Sequence, residues 1–290
     1  MTTTTTHTLD VPGAVLTYDV HEPDEAGPHR PVMVFGSPMG ASGFSQLVPL
    51  LDDRVVITYD PRMAERSRLE EGGEVSFEIH GDDVHRVVEA TGLGPVDVLA
   101  SSGGAVAALP WLLSHPGDVA TVVLHEPPLT ALLEDADVLE RVYKDIVETY
   151  QRSGQGPAMA KFIQLVMHAG VLTEDYLDQP APDPAQFGFS AEDDGSRDDP
   201  LLGYNMAIPP YHPDSGALRA SGVRIVPAVG AASGTEVPRR GAEALAALVG
   251  VEVIEFPGDH GGFVASEWSP NNDPEAFATT LREVLDQPVT

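Results

Sequence analysis

The chain of 290 residues carries 45 acidic and 16 basic side chains, so its formal net charge is −29, and it contains no cysteine. A surface this negative repels nucleic acids and anionic membranes, so neither is expected as a partner. The lack of cysteine excludes disulfides, a thiolate nucleophile and cysteine metal ligands. Hydrophobic residues make up 42% of the chain, which is enough for a buried core and excludes disorder for most of it.

Residues 1–7 are mostly threonine and contain neither a basic nor an apolar stretch. We therefore expect a frayed tail here and no secretory signal. No apolar run approaches the roughly 20 residues that a membrane helix needs. Together with the lack of cysteine, this predicts a cytoplasmic protein. The charge is interpreted as a solubility feature, and a field that steers cationic substrates is the alternative.

Strand and helix signals alternate over the first half of the chain. Short runs rich in apolar and β-branched residues predict strands at 14–20, 31–35, 55–59, 96–100 and 119–125. Helical spacing predicts helices at 80–91, where Gly92 is the stop signal, and at 104–115. Strands that alternate with helices in this way predict an α/β fold, in which helices cover both faces of a mostly parallel sheet.

The alternation stops between residues 131 and 218. Apolar positions at helical spacing predict one helix around 138–150 and another around 159–167 with Gly170 as its C-cap, and the polar residues 178–200 predict a long loop. The alternation then resumes with a strand at 223–229, a helix at 238–248, a strand at 251–256 and a helix at 273–285. The simplest organisation is a core of residues 8–130 and 219–290, interrupted by a mostly helical cap of residues 131–218.

Residues 100–104, Ala-Ser-Ser-Gly-Gly, lie where a predicted strand turns sharply into a helix. A nucleophile on such an elbow has a strained backbone, so the residues two before and two after it must be small. With Ser102 as the nucleophile both positions hold small residues. With Ser101 as the nucleophile one of them would be Leu99, which would clash. The sequence therefore predicts Ser102, and the alternative for a serine here is a simple helix N-cap.

A second segment, residues 256–263 (Phe-Pro-Gly-Asp-His-Gly-Gly-Phe), follows the last predicted strand. His260 therefore lies on a loop at the carboxyl edge of that strand. Loops at this edge of a parallel sheet gather at one site. A lone loop histidine is often only solvent-exposed, but beside an elbow serine His260 is interpreted as the general base.

These segments resemble the α/β-hydrolase superfamily, and the resemblance covers the chain outside residues 131–218. Residues 32–38 (Val-Met-Val-Phe-Gly-Ser-Pro) and 59–62 (Tyr-Asp-Pro-Arg) also stand in the family's order. The chain departs from the family where a histidine is often found, at Phe35, and where a glycine-rich segment is usual, at 63–66. The resemblance implies a cofactor-independent serine hydrolase that cleaves an ester, lactone or thioester of a small molecule through an acyl-enzyme.

The resemblance also implies an oxyanion hole built from two backbone N–H groups. One should belong to Gly103, which follows the nucleophile. The other should come from the loop after the second predicted strand. Pro38 has no N–H, so Ser37 is the better candidate and Met39 the weaker one.

Four residues of the chain are considered for the position of the triad acid. The family's common position for it holds Ser233, which cannot carry the charge, and Asp259 would have to fold back on its neighbour. Glu236 precedes a helix, where the helix dipole favours an acidic residue for structural reasons alone. Some members of the superfamily, certain haloalkane dehalogenases among them, carry their acid at the strand end that Glu126 occupies. A charge directly after a buried apolar strand is unfavourable unless paired, so Glu126 is predicted and Glu236 is the alternative.

Other functions are compatible with the same residues. Fold and triad do not determine the reaction, so C–C bond cleavage, perhydrolysis or elimination are alternatives to ester hydrolysis. A binding protein on a degenerate hydrolase scaffold is a further alternative, because Ser233 stands at the usual acid position. No metal or organic cofactor is expected. The residues predicted to line an apolar pocket under the cap are Phe162, Leu165, Val166, Met167 and Tyr204.

Overall fold

The computed structural model describes residues 2–267 and 269–288. Within them, nine strands form one sheet in the order β1-β2-β4-β3-β6-β7-β8-β9, and β5 pairs with β2. The strands are β1 (Thr2–Val11), β2 (Ala14–Pro23), β3 (Val32–Phe35), β4 (Val56–Asp60), β5 (Arg68–Leu69), β6 (Val96–Ser101), β7 (Val119–His125), β8 (Arg224–Gly230) and β9 (Ile254–Phe256). The neighbouring strands β4, β3, β6, β7, β8 and β9, in this order across the sheet, are parallel to one another. The pairings of β2 with β1, β4 and β5 are antiparallel.

Helices cover both faces of this sheet. They are α1 (Phe77–Thr91), α2 (Gly103–Ser114), α3 (Ala136–Ser153), α4 (Gln155–Val166), α5 (Ser215–Ala220), α6 (Val237–Val249) and α7 (Pro274–Leu285). Successive side chains of a strand point to opposite faces. Accordingly, Met33 and Phe35 join the hydrophobic cluster that contains α1 and α2, whereas Val32 and Val34 join the one that contains α7. The predicted fold, a mostly parallel sheet between helices, is confirmed.

The prediction of a frayed N-terminal tail was wrong. Residues Thr2–Val11 form β1, which pairs with β2 along its whole length, from Thr2 opposite Pro23 to Val11 opposite Ala14. Threonine is β-branched and favours extended backbone, and Gly13 in the connecting turn adopts a φ of +76° that suits glycine. The sheet therefore begins at residue 2, ahead of the core start predicted at residue 8.

Other differences between prediction and structure are smaller. Helix α4 ends at Val166 and its C-cap is Met167, so Gly170 is not the cap. The last strand is shorter than predicted, because it begins at Ile254. The predicted loop at 178–200 contains one 3-10 turn, at Pro184–Phe187. In the part of the chain that the structure describes, no helix has both the length and the apolar character that crossing a bilayer requires.

The chain between β7 and β8 builds a hydrophobic cluster of its own. Helices α3 and α4 pack there against two short turns, Pro200–Tyr204 and Asn205–Ala207. Val237 of α6 belongs to this cluster, and Arg240 of α6 donates from Nη1 to Asp135 Oδ2 at 3.0 Å and to the carbonyl oxygen of Gly170 at 2.9 Å. This segment thus lies against the helix that follows β8.

Candidate active site

Ser102 stands at the sharp turn between β6 and α2. Its φ of +55° and ψ of −128° lie in a region that residues with a side chain rarely adopt. The backbone N–H of Ser102 donates to the carbonyl oxygen of His125 on β7 at 2.9 Å. A Cβ on Gly104 would stand 2.8 Å from Cα of Gly36, so glycine is needed for the β3 loop to approach the elbow. The strained serine is therefore held between two neighbouring strands.

Glu126 follows β7 with its side chain turned into the protein, where the residue is only 1% exposed. Its backbone N–H donates to the carbonyl oxygen of Ala228 at 2.9 Å. Its Oε1 accepts the N–H of Gly230 at 2.8 Å, and its Oε2 accepts from Nδ1 of His260 at 2.7 Å. Both carboxylate oxygens are thus bonded, which offsets the unfavourable burial of the charge.

His260 lies on the loop that follows β9. The side chain of the neighbouring Asp259 forms hydrogen bonds within its own part of the chain. Its Oδ1 accepts from Gly261 N at 2.8 Å and from Asn272 Nδ2 at 2.9 Å. Since Nδ1 of His260 is bonded to Glu126, Nε2 is the ring nitrogen available to a substrate or to a nucleophile.

The electrostatics of Glu126 determine the tautomer of His260. Burial by itself would raise the pKa of Glu126, but the hydrogen bond from His260 lowers that pKa to about 2. A carboxylate that is ionised at neutral pH can only accept hydrogen bonds, so Nδ1 of His260 carries the proton. The same negative charge stabilises the imidazolium whenever Nε2 also takes a proton.

The elbow serine, the buried carboxylate and the imidazole all border one cavity of about 820 Å³. Ser102, Glu126 and His260 line it together with residues of α3, α4 and the turns near 201–211. Of the five apolar residues predicted to line such a pocket, three do so: Phe162, Leu165 and Val166. The other two do not, since Met167 is 70% exposed and Tyr204 is absent from the lining.

The two residues predicted to form the oxyanion hole, Ser37 and Gly103, lie side by side in the cavity wall. A Cβ on Gly103 would stand 2.5 Å from the carbonyl oxygen of Ser37, so the β3 loop packs directly against the residue after the elbow serine. Ser37 is buried, and its hydroxyl donates to Oδ1 of Asn205 at 3.0 Å. The structure thus brings both predicted residues to the elbow.

The sequence profile of the alpha/beta hydrolase fold matches residues 32–178. The uncharacterized hydrolase YraK of Bacillus subtilis (strain 168) is 31% identical over 290 residues, which covers 97% of this chain and 96% of YraK. The chain belongs to the alpha/beta hydrolase family.

Solved structures show the same fold for this hydrolase. A hydrolase from Pseudomonas aeruginosa PA01 has a TM-score of 0.69 and 18% identity, over 97% of this chain and 98% of that one. A thermophilic esterase from Thermogutta terrifontis has a TM-score of 0.66 and 19% identity, over 98% of each chain. At such identities the similarity is one of fold.

Glu236, the alternative acid, also lines the cavity of the hydrolase, as the N-cap of α6. The ring nitrogen that an acid would orient, Nδ1 of His260, is bonded to Glu126. In the structure, Glu126 is thus the carboxylate bonded to the imidazole, and Glu236 is part of the cavity wall.

Two residues of the site were missed from the sequence. Gly230 contributes only a backbone N–H to Glu126, and a backbone donor has no signature in a sequence. Asn205 reaches Ser37 across 168 positions of the chain from an irregular stretch without periodicity, so no pattern marked it.

His125 lies next to the site but is sealed in the core. Neither of its ring nitrogens has a hydrogen-bond partner, and burial lowers its pKa to about 4. Its ring packs against three phenylalanines, Phe256, Phe263 and Phe277. His125 is therefore neutral near pH 7 and fills space behind His260.

Among the residues that the structure describes, one group of three side chains places histidine and carboxylate atoms at metal-ligand spacing: His85, His115 and Asp118. Asp118 Oδ2 already accepts from His85 Nδ1 at 2.7 Å and from Trp111 Nε1 at 2.9 Å. The two imidazoles stack with centroids 3.5 Å apart and planes 7° apart. Lone pairs in the planes of parallel rings cannot converge on one ion, so we interpret this group as a structural contact between α1 and α2.

Proposed function

We propose that this hydrolase cleaves a carboxylic ester, lactone or thioester of a small molecule with Ser102 as nucleophile, His260 as general base and Glu126 as the triad acid. The observation that carries the proposal is the 2.7 Å hydrogen bond between His260 Nδ1 and the buried Glu126 carboxylate. It leaves Nε2 as the nitrogen that can take a proton from a serine lining the same cavity. The esterase from Thermogutta terrifontis shares the fold, which is in keeping with this activity.

The proposed reaction has two stages. Ser102 Oγ attacks the substrate carbonyl while its proton passes to His260 Nε2, and Glu126 stabilises the resulting imidazolium. The imidazolium then protonates the leaving group, and an acyl-enzyme remains. Water attacks this ester with His260 again as the base, which releases the acid and restores the serine. Backbone N–H groups of Ser37 and Gly103 are the proposed oxyanion donors, and each contributes about 3 kcal/mol in comparable enzymes.

We further propose that residues 131–218 act as a helical cap that limits substrate size. Support comes from their separate hydrophobic cluster and from the cavity, part of whose wall they supply. That wall is largely apolar on α4, where Phe162, Leu165 and Val166 face the cavity. An apolar acyl or alcohol group fits such a surface.

A fluorophosphonate probe and a panel of p-nitrophenyl esters and lactones of graded size test the proposal. We expect the wild type to be labelled and to turn over part of the panel. Ser102→Ala should abolish both while the protein stays folded, because it removes a single oxygen. The matched control is Ser101→Ala, which should keep substantial activity.

Each of the other results has a definite meaning. Loss of labelling in Ser101→Ala with labelling retained in Ser102→Ala would show that the elbow assignment is wrong. A labelled wild type without turnover of any ester or lactone would point to C–C cleavage, perhydrolysis or elimination by the same serine. A folded wild type that is never labelled would favour a binding protein.

A further inference from the structure

We propose that the side-chain amide of Asn205 is a third donor to the oxyanion, contributed by the 131–218 segment, and that the Ser37 hydroxyl orients this amide. The inference rests on the proposed function and deepens it. It makes the 131–218 segment part of the catalytic machinery as well as part of the cavity wall.

The first support is the direction of the amide. Asn205 lines the cavity, and its Oδ1 accepts the Ser37 hydroxyl at 3.0 Å. Its Nδ2 lies 3.1 Å from the point at which a Cβ on Gly103 would stand, directly beside the residue that follows Ser102. Within the part of the chain that the structure describes, Nδ2 itself donates a hydrogen bond to no protein atom. The amide thus presents free N–H groups next to the elbow.

The carbonyl oxygen of Ser37 supports the same orientation of the Asn205 amide. This oxygen lies 2.5 Å from the same hypothetical Cβ position on Gly103. An amide turned the other way would bring Oδ1 of Asn205 toward that oxygen, and two acceptors facing one another repel. The orientation with Nδ2 near Gly103 avoids this repulsion.

The second support is how firmly Asn205 is held. It follows a π-helical turn, Pro200–Tyr204. Such turns are rare in proteins overall, and many of those that occur lie at functional sites. Asp199 Oδ1 caps this turn by accepting from Leu201 N at 2.9 Å and Leu202 N at 2.8 Å. Leu202 and Met206, on either side of Asn205, are buried in the hydrophobic cluster of the segment. A donor fixed in this way needs no reorganisation when charge develops.

The expected role follows from when the negative charge appears. The substrate carbonyl becomes an oxyanion only after Ser102 attacks, so a donor aimed at that oxygen stabilises the transition state more than the bound substrate. Its removal should therefore lower kcat and change KM little. Loss of one such side-chain donor lowers kcat by about 10²–10³-fold in other serine hydrolases.

The test compares Asn205→Ala and the isosteric Asn205→Asp with the wild type on an ester from the panel. We expect kcat to fall by about 10²-fold or more in both, with KM within about threefold and an unchanged melting temperature. The rate of fluorophosphonate labelling should fall in parallel, because the phosphoryl oxygen also gains charge when Ser102 attacks. A variant with wild-type kcat, or one that raises KM alone, would overturn the inference while labelling of the wild type still upheld the proposed function.

A double-mutant cycle separates the amide from the hydroxyl that orients it. Ser37→Ala removes the hydroxyl and keeps the backbone N–H. We expect it to lower kcat less than Asn205→Ala does, and to have no further effect when Asn205 is already alanine. Independent, additive losses would overturn the coupling between the two side chains. A wild type that neither labels nor hydrolyses any ester would overturn the proposed function and the inference with it.

Discussion

Glu126 combines a buried charge with a hydrogen bond to each carboxylate oxygen, and this makes its substitution informative. Glu126→Gln keeps the shape but removes the charge that stabilises the imidazolium, so kcat should fall by up to about 10⁴-fold, as in comparable triads. The matched control is Glu236→Gln, which should change activity little and lower stability by about 0.3–1 kcal/mol, because an acid at a helix N-terminus interacts with the dipole. Steady-state kinetics and urea unfolding measure both. The reverse ranking of the two kcat values would move the acid to Glu236.

His125 should make the protein sensitive to acid. Its pKa in the folded state is about 4 because of burial, whereas an unfolded histidine has a pKa near 6.5. The unfolded state therefore binds a proton that the folded state rejects, and stability falls as the pH drops from about 6.5 to about 4. The difference corresponds to about 3 kcal/mol.

Urea unfolding between pH 7 and pH 4 tests this expectation with His125→Leu. The wild type should lose more unfolding free energy over this range than the variant does. Acidic groups and the buried His80 are common to both proteins, so their contributions cancel in the comparison. Equal losses in the two proteins would show that His125 does not titrate in this window.

At the scale of elements, the strands and helices next to the site followed from local patterns. The elbow between β6 and α2 is recognisable because its steric requirement involves adjacent residues. The pairing of β1 was missed for the opposite reason, since a polar strand of threonines has no apolar alternation and forms only because β2 offers an edge. The π-helical turn before Asn205 likewise has no periodicity to reveal it.

The contact between α6 and the turn after Glu126 gives a prediction at this scale. A Cβ on Gly241 would stand 2.1 Å from the carbonyl oxygen of Pro127, so Gly241→Ala must move α6 or the turn. We expect a loss of about 1–3 kcal/mol of stability together with lower kcat, because the displaced turn carries Glu126. Gly117→Ala, where nothing lies within 4 Å, is the control and should change neither. Urea unfolding and ester kinetics measure the effects, and unchanged values in Gly241→Ala would contradict this packing.

At the scale of the whole molecule, the net charge of −29 should oppose folding at low ionic strength, because like charges repel in the compact state. Screening shortens the Debye length from about 30 Å at 0.01 M salt to about 3 Å at 1 M. We therefore expect the urea midpoint to rise when NaCl increases over this range. A falling midpoint would mean that the surface ion pairs outweigh the repulsion.

The sequence by itself determined the fold class, the strand-to-helix elbow and the choice of Ser102 over its neighbour as the candidate nucleophile. These depend on periodicity and on the steric limits of adjacent residues, which are local properties. Tertiary structure alone decided which carboxylate meets His260, because Glu126 lies 134 positions away and reaches it through the order of β7, β8 and β9 in the sheet. It also decided that Asn205 lies at the elbow, since a contact across 168 positions depends on how the 131–218 segment packs on the core.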